Sequence, residues 1–189
     1  PTELRTVSRV GIHMQKVILP LCLSVAAQLG ALAEVPDTSI RAPDMLVGSV
    51  SAGDLHLLLD DMDAHLTMTG VNDRQAPYVF ATSKHGTPFA IYTACANPDG
   101  TDCRGLELLA GIESKRSVDE VSQVNQAYAA VSVYKSDTET VHISRYVILD
   151  HGVTWANLLE NAAVFEVLCG HVTEDLSEQG PQAAEDRAR

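Results

Sequence analysis

Residues 78–113 restrict the fold most narrowly. Three runs of strand-forming residues occur there: "YVFATS" (78–83), "TPFAIYTACA" (87–96) and "RGLELLAGIE" (104–113). Only Lys84-His85-Gly86 separates the first two, and only "NPDGTD" separates the second and third. Connections that short cannot carry a crossover helix, which a parallel pair requires. The three runs are therefore expected to form an antiparallel meander, with Gly86 at a left-handed turn position.

The same reasoning applies further on. "VSVYK" (131–135) turns through "SDTE" into "TVHISRYVILD" (140–150), where Val141, Ile143, Val147 and Leu149 share one face and Arg145 interrupts it. Three stretches have helical spacing instead. The first opens at Ser51, with Asp54 three residues on, and carries Leu55, Leu58, Leu59, Met62 and Leu66. The second opens with the capping box Ser117-Val118-Asp119-Glu120 and carries Val118, Val121, Val124 and Tyr128. The third has Thr154 as N-cap and a stripe of Trp155, Leu158, Leu159, Ala162, Phe165, Cys169 and Val172. The expected fold is α+β: an antiparallel sheet of about five strands with helices packed on it, in the order α-β-β-β-α-β-β-α.

The N-terminal region reads as an address. "MQKVILPLCLSVAAQLGALAEVPD" places Met14 and Lys16 before an apolar run, Val17–Ala27, and a small-residue "ALA" site ending at Ala33. That is the layout of a secretory signal. The run of 11 residues falls short of the roughly 20 needed to span a bilayer. The expected organisation is an upstream extension plus signal peptide over 1–33, a flexible lead-in over 34–50 in which "MLVGSV" (45–50) offers a short strand against the domain, a folded domain over 51–175 and a disordered tail over 176–189. The expected location is periplasmic or secreted, with no membrane insertion after cleavage. Cys22, preceded by Leu21 rather than a small residue, is a poor lipidation site and leaves with the signal.

The chain carries a net charge of −12. Loss of 1–33 leaves ten Lys and Arg against 24 Asp and Glu, a net charge of −14. Such a surface repels phosphate backbones and anionic headgroups, which excludes the usual nucleic-acid and membrane-surface partners.

Three stretches and one helical amide invite chemistry. In "CANPDGTDC", Cys95 and Cys103 bracket a loop of oxygen-bearing residues. With Gly100 at the sixth position of a calcium loop, the first falls on Cys95 and the twelfth on Leu106, so the ligand pattern fails. Seven intervening residues do not make a redox Cys-x-x-Cys pair, and no zinc-ligand set stands nearby. In an oxidising compartment, a disulfide closing the hairpin is the expectation. Cys169 is then the odd thiol, on an apolar helix face. In "HLLLDDMDAH", His56/Asp60 and Asp61/His65 are each four apart, the spacing of a helix-borne metal pair, but the two pairs lie about 140° apart around the axis. A metal-dependent protein using these residues is the alternative reading; a solvated acidic face is the plainer one. "SVSAG" (49–53) lacks the first Gly of a nucleophile elbow, and no catalytic residues are assigned. Asn125 sits among apolar residues of the second helix and must be hydrogen-bonded or exposed.

From Cys95 onward the chain resembles a known family. The paired cysteines run into "LELLAGI", then a helix with "VNQAY", then "YVILDHGVTWANLLENAAVF". Over residues 50–175 this is similar to the YbjN family of bacterial proteins, named as candidate sensory transduction regulators. Val124-Asn125 match the family's middle-helix pattern, whereas Ala127 and Tyr128 stand where it has Trp and Asn. The resemblance implies a fold similar to the type III secretion chaperones. It implies a non-enzymatic domain, with no cofactor, that binds another polypeptide. Asn125, Tyr128 and Trp155 are the candidate partner-binding residues, the partner itself being unnamed. Homodimer formation is implied by analogy with the chaperones, and a dimeric envelope protein is a further alternative.

Overall fold

The computed structural model describes residues 41–177, all within one unit of the chain, Thr38–Arg189. The signal peptide read over 1–33, Cys22 and residues 178–189 of the tail lie outside the described residues.

The elements are β1 (Leu46–Val47), α1 (Ala52–Asp61), β2 (His65–Val71), β3 (Pro77–Thr82), β4 (Pro88–Cys95), β5 (Cys103–Glu113), α2 (Val118–Ala127), β6 (Ser132–Lys135), β7 (Thr140–Ile148), β8 (Val153–Thr154) and α3 (Trp155–Leu176). Strands β2 to β7 form a six-stranded antiparallel sheet in the order β2-β3-β4-β5-β7-β6. The expected α+β class and meander are present. The sheet has one strand more than expected, and β1 and β8 form a small second sheet.

The extra strand corrects the reading of the first helix. α1 stops at Asp61, and Asp63 takes a left-handed φ of 55°. His65 and Leu66, read as helical, start β2 instead, pairing with Thr82 and Ala81. "HLTMTGV" is rich in β-branched residues and short of good helix formers, so the strand prevails where Leu66 happened to continue the helical spacing. α1 itself is capped as expected. Ser51 Oγ accepts from the Asp54 amide, and the Asp54 carboxylate accepts from the Ser51 amide.

One core binds the helices to one face of the sheet. Val79, Ile91, Leu106, Leu108, Val141 and Ile143 from the strands meet Leu55, Leu58, Val121, Leu158, Phe165 and Val172 from the helices, all at most 2% exposed. Phe89 meets Phe165 with ring centroids 6.2 Å apart. Each such side chain contributes about 1.5–3 kcal/mol on burial. Arg145, which breaks the apolar face of β7, keeps its register there. Its guanidinium donates to Asn161 Oδ1 on α3 at 3.0 and 2.6 Å and to the carbonyl of Ala130.

Residues 41–50, part of the expected flexible lead-in, are docked. Val47 and Val50 are buried. The amides of Trp155 and Ala156, which open α3 and have no partner within their helix, donate to the carbonyls of Met45 and Pro43 at 2.9 Å. Arg41 pairs with Asp54 and lies over the Trp155 ring, 5.3 Å from its centroid. The segment is polar and Pro-bearing, but helix donors more than a hundred residues away hold it in place. At the other end, α3 reaches Leu176, which is buried, one residue into the expected tail. No helix among the described residues is long and apolar enough to cross a membrane.

Candidate functional site: the uncovered sheet face

Among the described residues the helices cover one side of the sheet and leave the other open, and that open side carries Tyr78, Phe80, Tyr92, Tyr134 and Tyr146. Along β3, Tyr78 and Phe80 alternate with the core residues Val79 and Ala81. Tyr92 of β4, Tyr134 of β6 and Tyr146 and Ile148 of β7 point to the same side by strand parity. Tyr134, Tyr146 and Ile148 are 43%, 56% and 63% exposed. Tyr78, Phe80 and Tyr92 form one cluster, with centroids 5.6 to 6.0 Å apart. Tyr134 faces His142 at 5.4 Å.

Two glycines let these rings lie close to the backbone. A Cβ built on Gly70 would sit 2.7 Å from the Tyr78 hydroxyl, and one on Gly105 would overlap the Tyr146 hydroxyl. Any larger residue at either position would push a tyrosine off the sheet.

Glu107 stands at the centre of this face, directly opposite Tyr92 on β4 and Tyr146 on β7. Partial burial pushes the Tyr92 hydroxyl pKa up, with Tyr78 and then Glu107 adding to the shift. Burial, and then Glu107, do the same at Tyr134. Beside Tyr92 a shallow pocket of about 360 Å³ is lined by Phe80, Ala90, Leu109, Gly111 and His142. The Nδ1 of His142 is buried there without a hydrogen-bond partner.

The face ends at β2, an edge strand with no Asp, Glu, Lys, Arg or Pro to block pairing. Leu66, Met68 and Val71 are exposed along it. A larger cleft, of about 740 Å³, lies between Glu113–Arg116, Glu139 and the end of α3. There Arg116 holds Glu120 at 2.9 Å and the Ser177 carbonyl at 2.6 Å.

The residues singled out in the sequence lie elsewhere, and the fold employs most of them internally. Asn125 Oδ1 accepts from the Val133 amide at 2.7 Å, tying α2 to β6. Tyr128 is the C-cap of α2 and donates to Asp175 on α3 at 2.6 Å. Trp155 is 1% exposed, and its Nε1 donates to Asp61 at 2.7 Å. Asn125 and Tyr128 join at the α2 end of the molecule. Trp155 opens α3, and Asp175, the partner of Tyr128, stands 20 residues along it, about 30 Å away. The three do not make one site.

Of the metal alternative, His56 and Asp60 stay four apart on α1, and the second pair is broken. Asp61 serves Trp155, and His65 lies on β2, so the Asp61/His65 helical pair does not exist. Among the described residues no three His, Cys, Asp or Glu are grouped to hold a metal ion. Ser51 of "SVSAG" is taken up by its cap. Cys95 and Cys103 are joined in a disulfide. In the loop between them Asp99 accepts from the hydroxyl and then the amide of Thr101, and these bonds, the hydroxyl foremost, hold its carboxyl below the usual range. Cys169 is a buried thiol, its pKa pushed up to about 12 by burial, with Glu166 adding.

The sequence carried a signal for the aromatic face that core-seeking reasoning passes over. Tyr78, Phe80, Tyr92, Tyr134 and Tyr146 fall on the strand positions that alternate with the core residues. An outward strand face is ordinarily polar, so tyrosines repeated there mark a surface.

No protein-family model matches the chain, and no curated protein does. Among solved structures it is similar to the crystal structure of YbjN from E. coli, at 15% identity and a TM-score of 0.49, over 68% of this chain and 91% of that one.

Proposed function

We propose that this is an exported, non-enzymatic domain of the periplasm or extracellular space that holds another polypeptide in a regulatory or chaperone-like way. The observation that carries it is the sheet face that the described residues leave uncovered, rich in tyrosine and ending at an edge strand without Asp, Glu, Lys or Arg. Tyrosine supplies large contact area at small entropic cost, and aromatic residues are enriched where proteins meet. An edge strand offers alternating N–H and C=O groups to an extended chain, while side chains on the face give selectivity. The internal disulfide suits an oxidising compartment, in line with the export signal read at residues 14–33.

A photo-crosslinking amino acid placed at Tyr146, in cells exporting the protein, tests the reading. Adducts with other polypeptides are expected at 146 and not at Val167, which is equally exposed on α3. Equal labelling at the two positions, or none at 146, overturns it. Cell fractionation with N-terminal sequencing tests export; the expected mature start is Glu34, and a cytoplasmic protein beginning at Met14 would refute it.

A further inference from the structure

We propose that the group captured on this face is a basic side chain, an arginine or lysine of the partner polypeptide, lying against the tyrosines and paired with Glu107. The inference rests on the polypeptide-binding reading and names the chemistry of the partner.

Glu107 is the carrying observation. It is a half-buried carboxylate at the middle strand of the face, flanked across the ladder by Tyr92 and Tyr146. Among the described residues it has neither an ion pair nor a hydrogen bond. Carboxylates that are half removed from water are ordinarily paired, because the charge loses solvation. The rings around it add a second attraction for the same kind of group. A guanidinium or ammonium is drawn to an aromatic face, and a carboxylate beside that face completes its pairing. Tyr146, whose tip rests on the bare backbone of Gly105, keeps more than half of its surface exposed for such a contact.

Charge separates the occupants. The chain carries −12 overall and attracts a basic partner before contact. A second copy is disfavoured: stacked face to face about a two-fold axis through β5, it would set Glu107 against Glu107. A small free amine is disfavoured because the face is open and would leave it solvated. A chain segment laid across the face holds the cation in place, because a strand added outside β2 would stand four strand spacings, about 19 Å, from β5, beyond the reach of an arginine.

The test uses two fluorescein-labelled nonapeptides of alternating Thr and Val, one with Arg and one with Gln at the centre, followed by anisotropy. The Arg peptide is expected to bind about tenfold more tightly, the size of one charge-assisted hydrogen bond. In Glu107→Gln, which keeps the side-chain shape, that preference disappears. In Tyr146→Ala it shrinks, with melting curves unchanged. Amide NMR shifts at 105–109 and 144–148 of the wild type report the site independently of any variant. Equal binding of the two peptides, or a preference that survives Glu107→Gln, overturns the basic-partner inference and leaves the polypeptide-binding reading standing. Failure of both peptides to bind overturns both. Shifts at the same amides on dilution, without peptide, would assign the face to a second copy and overturn the inference.

Discussion

Single side chains carry much of the wiring between elements. Asp61 looked in the sequence like one member of a metal pair, and it is the acceptor for the chain's one tryptophan. Nothing local in "LLLDDMDAH" could show this, because Trp155 lies 94 positions away. Asn125 was legible in part: an amide on an apolar helix needs a partner, and the partner is the Val133 amide just beyond the helix end. Asp61→Ala leaves the indole N–H of a buried ring without an acceptor. The expected loss is about 1–3 kcal/mol of stability. It should read out in urea melts followed by Trp155 fluorescence, and Asp61→Asn, which keeps an acceptor oxygen, should recover most of it. If instead Asp61→Ala is neutral and metal content changes, the residue's role is the one first read from its spacing.

Elements were legible where local chemistry was explicit and illegible where it depended on tertiary neighbours. The meander followed from connection lengths and the helix starts from their caps. β2 was missed because Leu66 falls four residues after Met62 and mimics another helical turn. At α2 the capping box is complete. Glu120 accepts from the amide and hydroxyl of Ser117 and pairs with Arg116, and these contacts, the Ser117 amide foremost, lower its pKa to about 2. The folded pKa lies below the ordinary 4.5, so the stabilisation is fully present above pH 4.5 and is lost as pH falls through 2. Glu120 is exposed, so salt screens part of the effect. Melting temperatures of wild type and Glu120→Gln should differ at neutral pH and low salt and converge below pH 2. A gap of constant size across that range would mean that the carboxylate charge is not what holds the cap.

At the scale of the whole molecule, the domain boundary was legible only in part: "MLVGSV" offered a short strand, which is β1, but not the docking of the residues before it. A start at residue 51 is reasonable from composition, since residues 34–44 carry two prolines and no periodicity and 45–50 offer only one short strand. The fold nonetheless joins 41–50 to three separate places. Val50 donates to the Cys103 carbonyl at 2.9 Å, beside the disulfide; β1 pairs with β8; and Pro43 and Met45 close the first turn of α3. Two buried valines contribute about 3–6 kcal/mol together, and orphaned amides at the start of a buried helix would subtract further. Against a total stability of about 5–15 kcal/mol, that is a large share. A chain beginning at Ser51 should therefore lack a cooperative melt, whereas one beginning at Glu34 should melt as a single unit. The disulfide makes a smaller and separable contribution. Closing a loop of about nine residues is worth roughly 2.5 kcal/mol in the unfolded chain, so reduction should lower the melting temperature of the Glu34 chain without abolishing its transition. If the Ser51 chain instead melts cooperatively within a few degrees of the longer one, the docked segment is an ornament on a self-sufficient domain. The helix start at Trp155 must then find its caps in water.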